Sequence, residues 1–121
     1  MRSLILAAAL VVTSFTSVAF AEGKKIGVAW GDFAQPRWRW DATAMRSVIE
    51  RNGNKYMPTN AGGSAEQQLQ DIEQLIDDGV DALVIQPIDK DAVLAGVDRA
   101  AAAGIPIVAY DRLIEHENVF Y

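Results

Sequence analysis

SAEQQLQDIEQLIDDGVDALVI, residues 64–85, decides the fold. Its first part has helical spacing: Ala65, Leu69, Ile72, Leu75 and Ile76 fall on one stripe of a 3.6-residue repeat. Ser64 followed three residues later by Gln67 predicts a capping box at the start. Gly79 predicts the stop, because glycine closes a helix in the left-handed conformation at no steric cost. The period then changes. Val80 to Ile85 is the most apolar stretch after residue 21 and reads as a strand buried on both faces, closed by Gln86-Pro87.

The same alternation continues on either side. Upstream, Lys25 to Trp30 reads as a first strand, broken by Gly31-Asp32. Pro36 fits the first position of a helix, where its missing N–H costs nothing. Trp38, Ala42, Met45, Val48 and Ile49 recur at helical spacing, and Asn52-Gly53-Asn54 supplies a stop. Lys55 to Thr59 is a short second strand whose Pro58 suits a sheet edge. A turn, Asn60 to Gly63, leads into the helix of the opening stretch. Downstream, Asp89 or Asp91 can cap a third helix with Val93, Leu94, Val97, Ala100 and Ala101 on its apolar face. Gly104 ends it, and Ile105 to Ala109 is a fourth strand. Strand and helix in strict alternation, with short connections, predict an α/β fold: a doubly wound parallel sheet with right-handed crossovers. The last residues, Glu115 to Tyr121, read as a turn entering one more strand, so residues 22–121 are expected to be a truncated N-terminal lobe.

Residues 1–21 stand apart from this pattern. Arg2 gives a positive start, Leu4 to Val12 is an apolar run, and Ala19-Phe20-Ala21 matches an A-x-A cleavage site. The run falls short of the roughly 20 residues a membrane span needs. A signal peptide cleaved after Ala21 is expected, giving an exported, periplasmic chain that is not membrane-embedded.

Composition narrows the chemistry. A net charge of -5 and a pI near 4.7 argue against a nucleic-acid partner. The chain has no cysteine, which excludes disulfides, thiolate metal sites and cysteine nucleophiles. No dinucleotide fingerprint, phosphate loop, nucleophile elbow or zinc-protease motif occurs. The single histidine, His116, lies in a polar loop without an evident partner. The chain reads as a binding protein rather than an enzyme, with no cofactor and no metal.

Two clusters remain that packing explains poorly. Asp111 and Arg112 follow the fourth strand directly; they read either as a turn whose charges are solvated or paired with each other, or as ligand groups, since ligands of open α/β sheets bind beyond the carboxyl ends of strands. Asp32, Arg37, Trp38, Arg39 and Trp40 crowd the end of the first strand. In this topology both strand ends share one rim, so Arg37 and Trp38 are expected to face Asp111 and Arg112. A carboxylate accepts and a guanidinium fork donates, which together grip a hydroxyl-covered molecule. An indole face can stack on the C–H face of a sugar. The alternative places Trp38 in the core and Arg37 in solvent. Trp40 and Arg39 point to another part of the helix turn.

These residues carry a family resemblance. Lys25 to Ala29, Pro36-Arg37-Trp38, Gln70 to Ile76 with Gly79 to Ile85, Ile107 to Ile114 and the terminal Phe120-Tyr121 resemble periplasmic sugar-binding proteins of the ribose/galactose type. The Arg-Trp loop with Tyr110-Asp111-Arg112-Leu113-Ile114 is most similar to the D-xylose-binding branch that serves ABC importers. The resemblance implies a monosaccharide ligand held between two hinged lobes, an importer permease as partner, and a monomer at full length. It implies that Arg37, Asp111 and Arg112 hydrogen-bond the sugar and that Trp38 stacks on it. Ribose, arabinose or galactose binding linked to chemotaxis, a LacI-type sensor domain, and an exported hydrolase are the other readings. The second of these would need a helix-turn-helix where this chain has its signal sequence.

Overall fold

A computed structural model of the chain describes residues 21–121, so the expected signal peptide lies, except for Ala21, outside the described residues. Five strands form one parallel sheet: β1 (Lys25–Trp30), β2 (Lys55–Asn60), β3 (Ala82–Gln86), β4 (Ile107–Ala109) and β5 (Val119–Phe120). Their order is β2-β1-β3-β4-β5. Three helices alternate with the first four strands: α1 (Pro36–Arg51), α2 (Ala65–Asp77) and α3 (Leu94–Ala102). This is the expected doubly wound arrangement. Chain direction reverses its course across the sheet between β1 and β3, since β2 lies to one side of β1 and all later strands to the other.

Strand alternation sorts the core into two layers. Ala29, Leu83, Ile85, Ile107, Ala109 and Val119 pack with Ile72 and Leu75 of α2 and Val97 and Ala100 of α3. Their strand neighbours point the other way, where Val28 and Trp30 pack against Trp38, with Met45 and Ile49 of α1 alongside. The central strands are therefore covered on both faces, as their apolar runs require. Pro58 does sit on the edge strand, opposite Val28.

Local details differ from the expectations for physical reasons. The capping box is half formed: Ser64 Oγ accepts from the Gln67 N–H at 3.2 Å, while the Gln67 side chain donates to Asp71 instead. β3 begins at Ala82 rather than Val80, because the Val80 N–H still closes the end of α2 on the Leu75 carbonyl. It also runs one residue further, through Gln86. β4 begins at Ile107 rather than Ile105, because the Ile105 N–H is held by Ala100 and Pro106 has none to offer. Asp89 is the cap before α3, but it accepts from Asp91 and Ala92, a turn upstream of the helix proper.

Candidate functional site

The parallel sheet brings three loops to its carboxyl rim: residues 31–35 after β1, 87–93 after β3 and 110–118 after β4. Arg37 and Asp111, 74 residues apart, meet across this rim: the Arg37 guanidinium donates through Nη2 to Asp111 Oδ1. Their side chains are 56% and 26% exposed, so the pair lies open to an incoming ligand. Surface ion pairs are worth about 0–1 kcal/mol, so exchanging this contact for hydroxyl groups costs little.

Asp111 is the one non-glycine residue among those described with positive φ, at 66°. The Arg112 N–H donates to the Tyr110 carbonyl at 2.8 Å, making a three-residue turn with Asp111 at its centre. Aspartate tolerates this left-handed backbone better than most residues. The turn places the Asp111 carboxylate on Arg37 and the Arg112 guanidinium on the loop after β3.

Arg112 reaches over the loop after β3. Its Nη1 donates to the carbonyls of Pro87 at 3.3 Å and Ile88 at 3.1 Å. One nitrogen of its fork thus ties two rim loops together. Ala109, Tyr110, Asp111, Arg112, Leu113 and Tyr121 surround a hollow of about 350 Å³. A larger hollow of about 550 Å³ lies on the outward face of α1, around Trp40, away from the rim and its acid–base pair.

Trp38 is 4% exposed and packs in the α1 layer with Val28 and Trp30. The Arg37 guanidinium lies over its ring, with Cζ 3.8 Å from the centroid. The indole therefore belongs to the core in this chain and carries Arg37 on its face, a cation–π contact. Trp40 is 76% exposed on the helix's outer side, apart from the site as expected.

The sequence reading missed several residues. Trp30 donates its indole N–H to the Tyr56 hydroxyl at 2.9 Å and meets the Tyr110 ring edge-on at 5.7 Å, which fixes the start of the rim loop. Burial pushes both tyrosine hydroxyls above their usual value, and for Tyr110 the nearby Asp41 carboxylate adds to it. His116 does have a partner: Nε2 lies 2.9 Å from Asp98 Oδ1, while Nδ1 accepts from the Asn118 N–H. That acceptance places the ring proton on Nε2, so the histidine latches the last loop to α3. Gln68 and Gln86 are buried amides beneath the rim. A glutamine on an apolar helix stripe and another closing an apolar strand were the available signals. Among the described residues no cluster of histidine and carboxylates is arranged to hold a metal, and no helix is long and apolar enough to cross a membrane.

Residues 26–121 match the family model described as periplasmic binding protein domain. The D-xylose-binding periplasmic protein of Escherichia coli K12 is 36% identical over 104 residues, 85% of this chain and 32% of that protein. The ribose import binding protein of Bacillus subtilis 168 is 39% identical over 70 residues, 58% of this chain and 23% of that protein. Among solved structures, an ABC transporter solute binding protein from Clostridium phytofermentans with bound β-D-glucose superposes with a TM-score of 0.76 at 31% identity, over 79% of this chain and 30% of that one. The chain spans about a third of the length of the curated D-xylose-binding relative.

Proposed function

Since the chain belongs to the periplasmic binding protein domain family, we propose that it forms the N-terminal lobe of the substrate-binding component of an ABC sugar importer, with an aldopentose, D-xylose, as ligand. The observation that carries this reading is the Arg37–Asp111 pair, held open at the carboxyl rim of the sheet. A sugar hydroxyl inserted between them donates to the carboxylate and accepts from the guanidinium. Arg112, already anchored through Nη1 on the Pro87 and Ile88 carbonyls, has the donors of Nε and Nη2 left for the sugar. Trp38 serves as the platform that holds Arg37 flat, rather than as the surface the sugar stacks on.

Transport follows from lobe motion. A sugar bridging two hinged lobes favours the closed form by its extra contacts there. Closed, loaded protein then presents both lobes to the permease. A site that pairs every hydroxyl rejects an analogue lacking one, because its own polar groups are left unpaired.

The resemblance of the rim residues to the D-xylose-binding branch supports xylose, and the 36% identity to the E. coli protein supports it further. Isothermal calorimetry on the full-length protein, with D-xylose, D-ribose, L-arabinose, D-galactose and D-glucose, tests it. Tight binding of D-xylose is expected, with Asp111→Ala weakened at least about 30-fold, the 2 kcal/mol or more that truncating a charge contact costs once the sugar and the closed lobes bury it. Unchanged xylose affinity in Asp111→Ala overturns the reading.

A further inference from the structure

We propose that Gln68 and Gln86 are positioning residues for the rim: two buried amides that clamp the ligand loops from opposite faces of the sheet. This rests on the reading of the rim as the sugar site. Gln68 is 0% exposed and projects from the first turns of α2, on the Ala29 and Leu83 side. Its Nε2 donates to the Ala29 carbonyl at 3.2 Å and the Gln86 carbonyl at 2.8 Å. Its Oε1 accepts from the Ile88 N–H at 2.9 Å. One side chain thus joins the end of β1, the end of β3 and the loop that follows β3.

Gln86 works from the other face. Its side chain is 3% exposed, and Oε1 accepts from the Gly31 N–H at 2.9 Å. The Gly31 carbonyl is taken by Gly63 at 2.9 Å, so the peptide at the start of the first rim loop is fixed at both ends. Gly31 has no room for a side chain. A Cβ there would lie 2.7 Å from Ile88 Cγ1 and 2.9 Å from Gln86 Oε1. The loops after β1 and β3 therefore touch, and glycine is what lets them.

The clamp leads directly to the site. Ile88, pinned through its N–H by Gln68, offers its carbonyl to Arg112. Gly31, pinned by Gln86, begins the loop that delivers Arg37. An apolar residue of equal size would fill either space without these bonds. An unpaired buried amide is costly, so such groups persist where their arms are used. Here both donors of Gln68 and one acceptor site are used.

The experiment uses the full-length protein. Gln68→Met and Gln86→Met remove the amides at similar volume. Gln68→Glu, neutral in so buried a place, returns one donor and one acceptor. Ile72→Val, on the same helix but facing the core, supplies a matched loss of stability. By calorimetry well below each variant's Tm, D-xylose affinity is expected to fall about 10- to 100-fold in the two methionine variants, the range known for supporting hydrogen bonds in metal sites. Gln68→Glu is expected to recover part of it, and Ile72→Val to leave Kd unchanged. Methionine variants with lower Tm but native Kd overturn the positioning role. Amide hydrogen exchange, followed by NMR, reads the clamp independently of any sugar. In the wild-type protein the Gly31 and Ile88 amides are expected to be protected like strand amides, and to lose protection selectively when their glutamine is replaced. Fast exchange of both amides in the wild type overturns the clamp, even if a variant fails to fold. Absence of binding to every sugar, with the exchange pattern as expected, overturns the sugar reading and leaves the clamp standing.

Discussion

Asp111 holds two jobs in one residue, and its backbone and side chain are separable by substitution. At φ 66° it forms the turn that its carboxylate then uses to face Arg37. Asparagine also tolerates the left-handed region, whereas a β-branched residue does not. Asp111→Asn is therefore expected to keep the thermal midpoint of the protein while losing the charge that Arg37 meets. Asp111→Val is expected to lose about 1–3 kcal/mol of stability as well, read by thermal or denaturant unfolding. Equal stability of the two variants would show that the turn carries no strain. The acid–base pair at a strand end was legible because Ile107 to Ala109 read as a strand and two charges followed it at once. The turn was not legible, because it depends on one φ that aspartate permits without requiring. Trp38 was legible only as two alternatives, since helical spacing puts it on the buried side while its neighbour Arg37 pulls it towards the rim. Trp38 packs in the α1 layer with Val28 and Trp30, as the core alternative has it, while Arg37 meets Asp111 rather than solvent alone.

The helices were legible through their apolar stripes, their proline at N1 and their closing glycines, all of which act within a few residues. Strand ends were less so. Val80 and Ile105 are apolar enough for strands, yet their N–H groups close the preceding helices, and composition does not report that choice. Gly96 was missed altogether. It is the third residue of α3, where alanine is ordinarily the better helix former. In this fold α3 crosses α2 closely at that point: a Cβ would lie 2.7 Å from Ile72 Cγ2 and 3.2 Å from Leu69 Cδ1. Gly96→Ala is accordingly expected to destabilise by about 1–3 kcal/mol, the usual cost of overpacking. Adding Ile72→Leu, which has no Cγ2 branch, should recover part of the loss in a double-mutant cycle. A stability gain from Gly96→Ala alone would mean that the helices move apart freely.

Across the whole molecule, the two layers of core differ in their chemistry, and that difference shows in the response to pH. The α2/α3 layer is built from aliphatic side chains, while the α1 layer gathers Trp30, Trp38, Phe33, Tyr56 and Tyr110. The layering itself was legible from the alternation of strands and helices; the aromatic character of one layer was not, because Tyr56 lies on β2 and Tyr110, 54 positions later, just past the end of β4, a strand that does not pair with β2. Burial raises both phenols above 10.0, with the Asp41 carboxylate adding to the effect at Tyr110. The unfolded chain releases these protons near pH 10 while the folded chain still holds them, so folding binds protons and stability falls as pH rises. The contribution is complete below pH 10 and is lost as pH climbs through the raised values. On the acid side, Asp89 is held below 3.8 by the N–H groups of Ala92 and Asp91, so its contribution is present above that value and fades as pH drops through the lowered one. Thermal midpoints measured at intervals from pH 8 to 11.5 are expected to stay level to about pH 10 and then fall. Tyr110→Phe should flatten part of that fall, because phenylalanine keeps the edge contact with Trp30 and has no proton to lose. A midpoint that declines equally in the wild type and in Tyr110→Phe would place the alkaline transition elsewhere than this phenol.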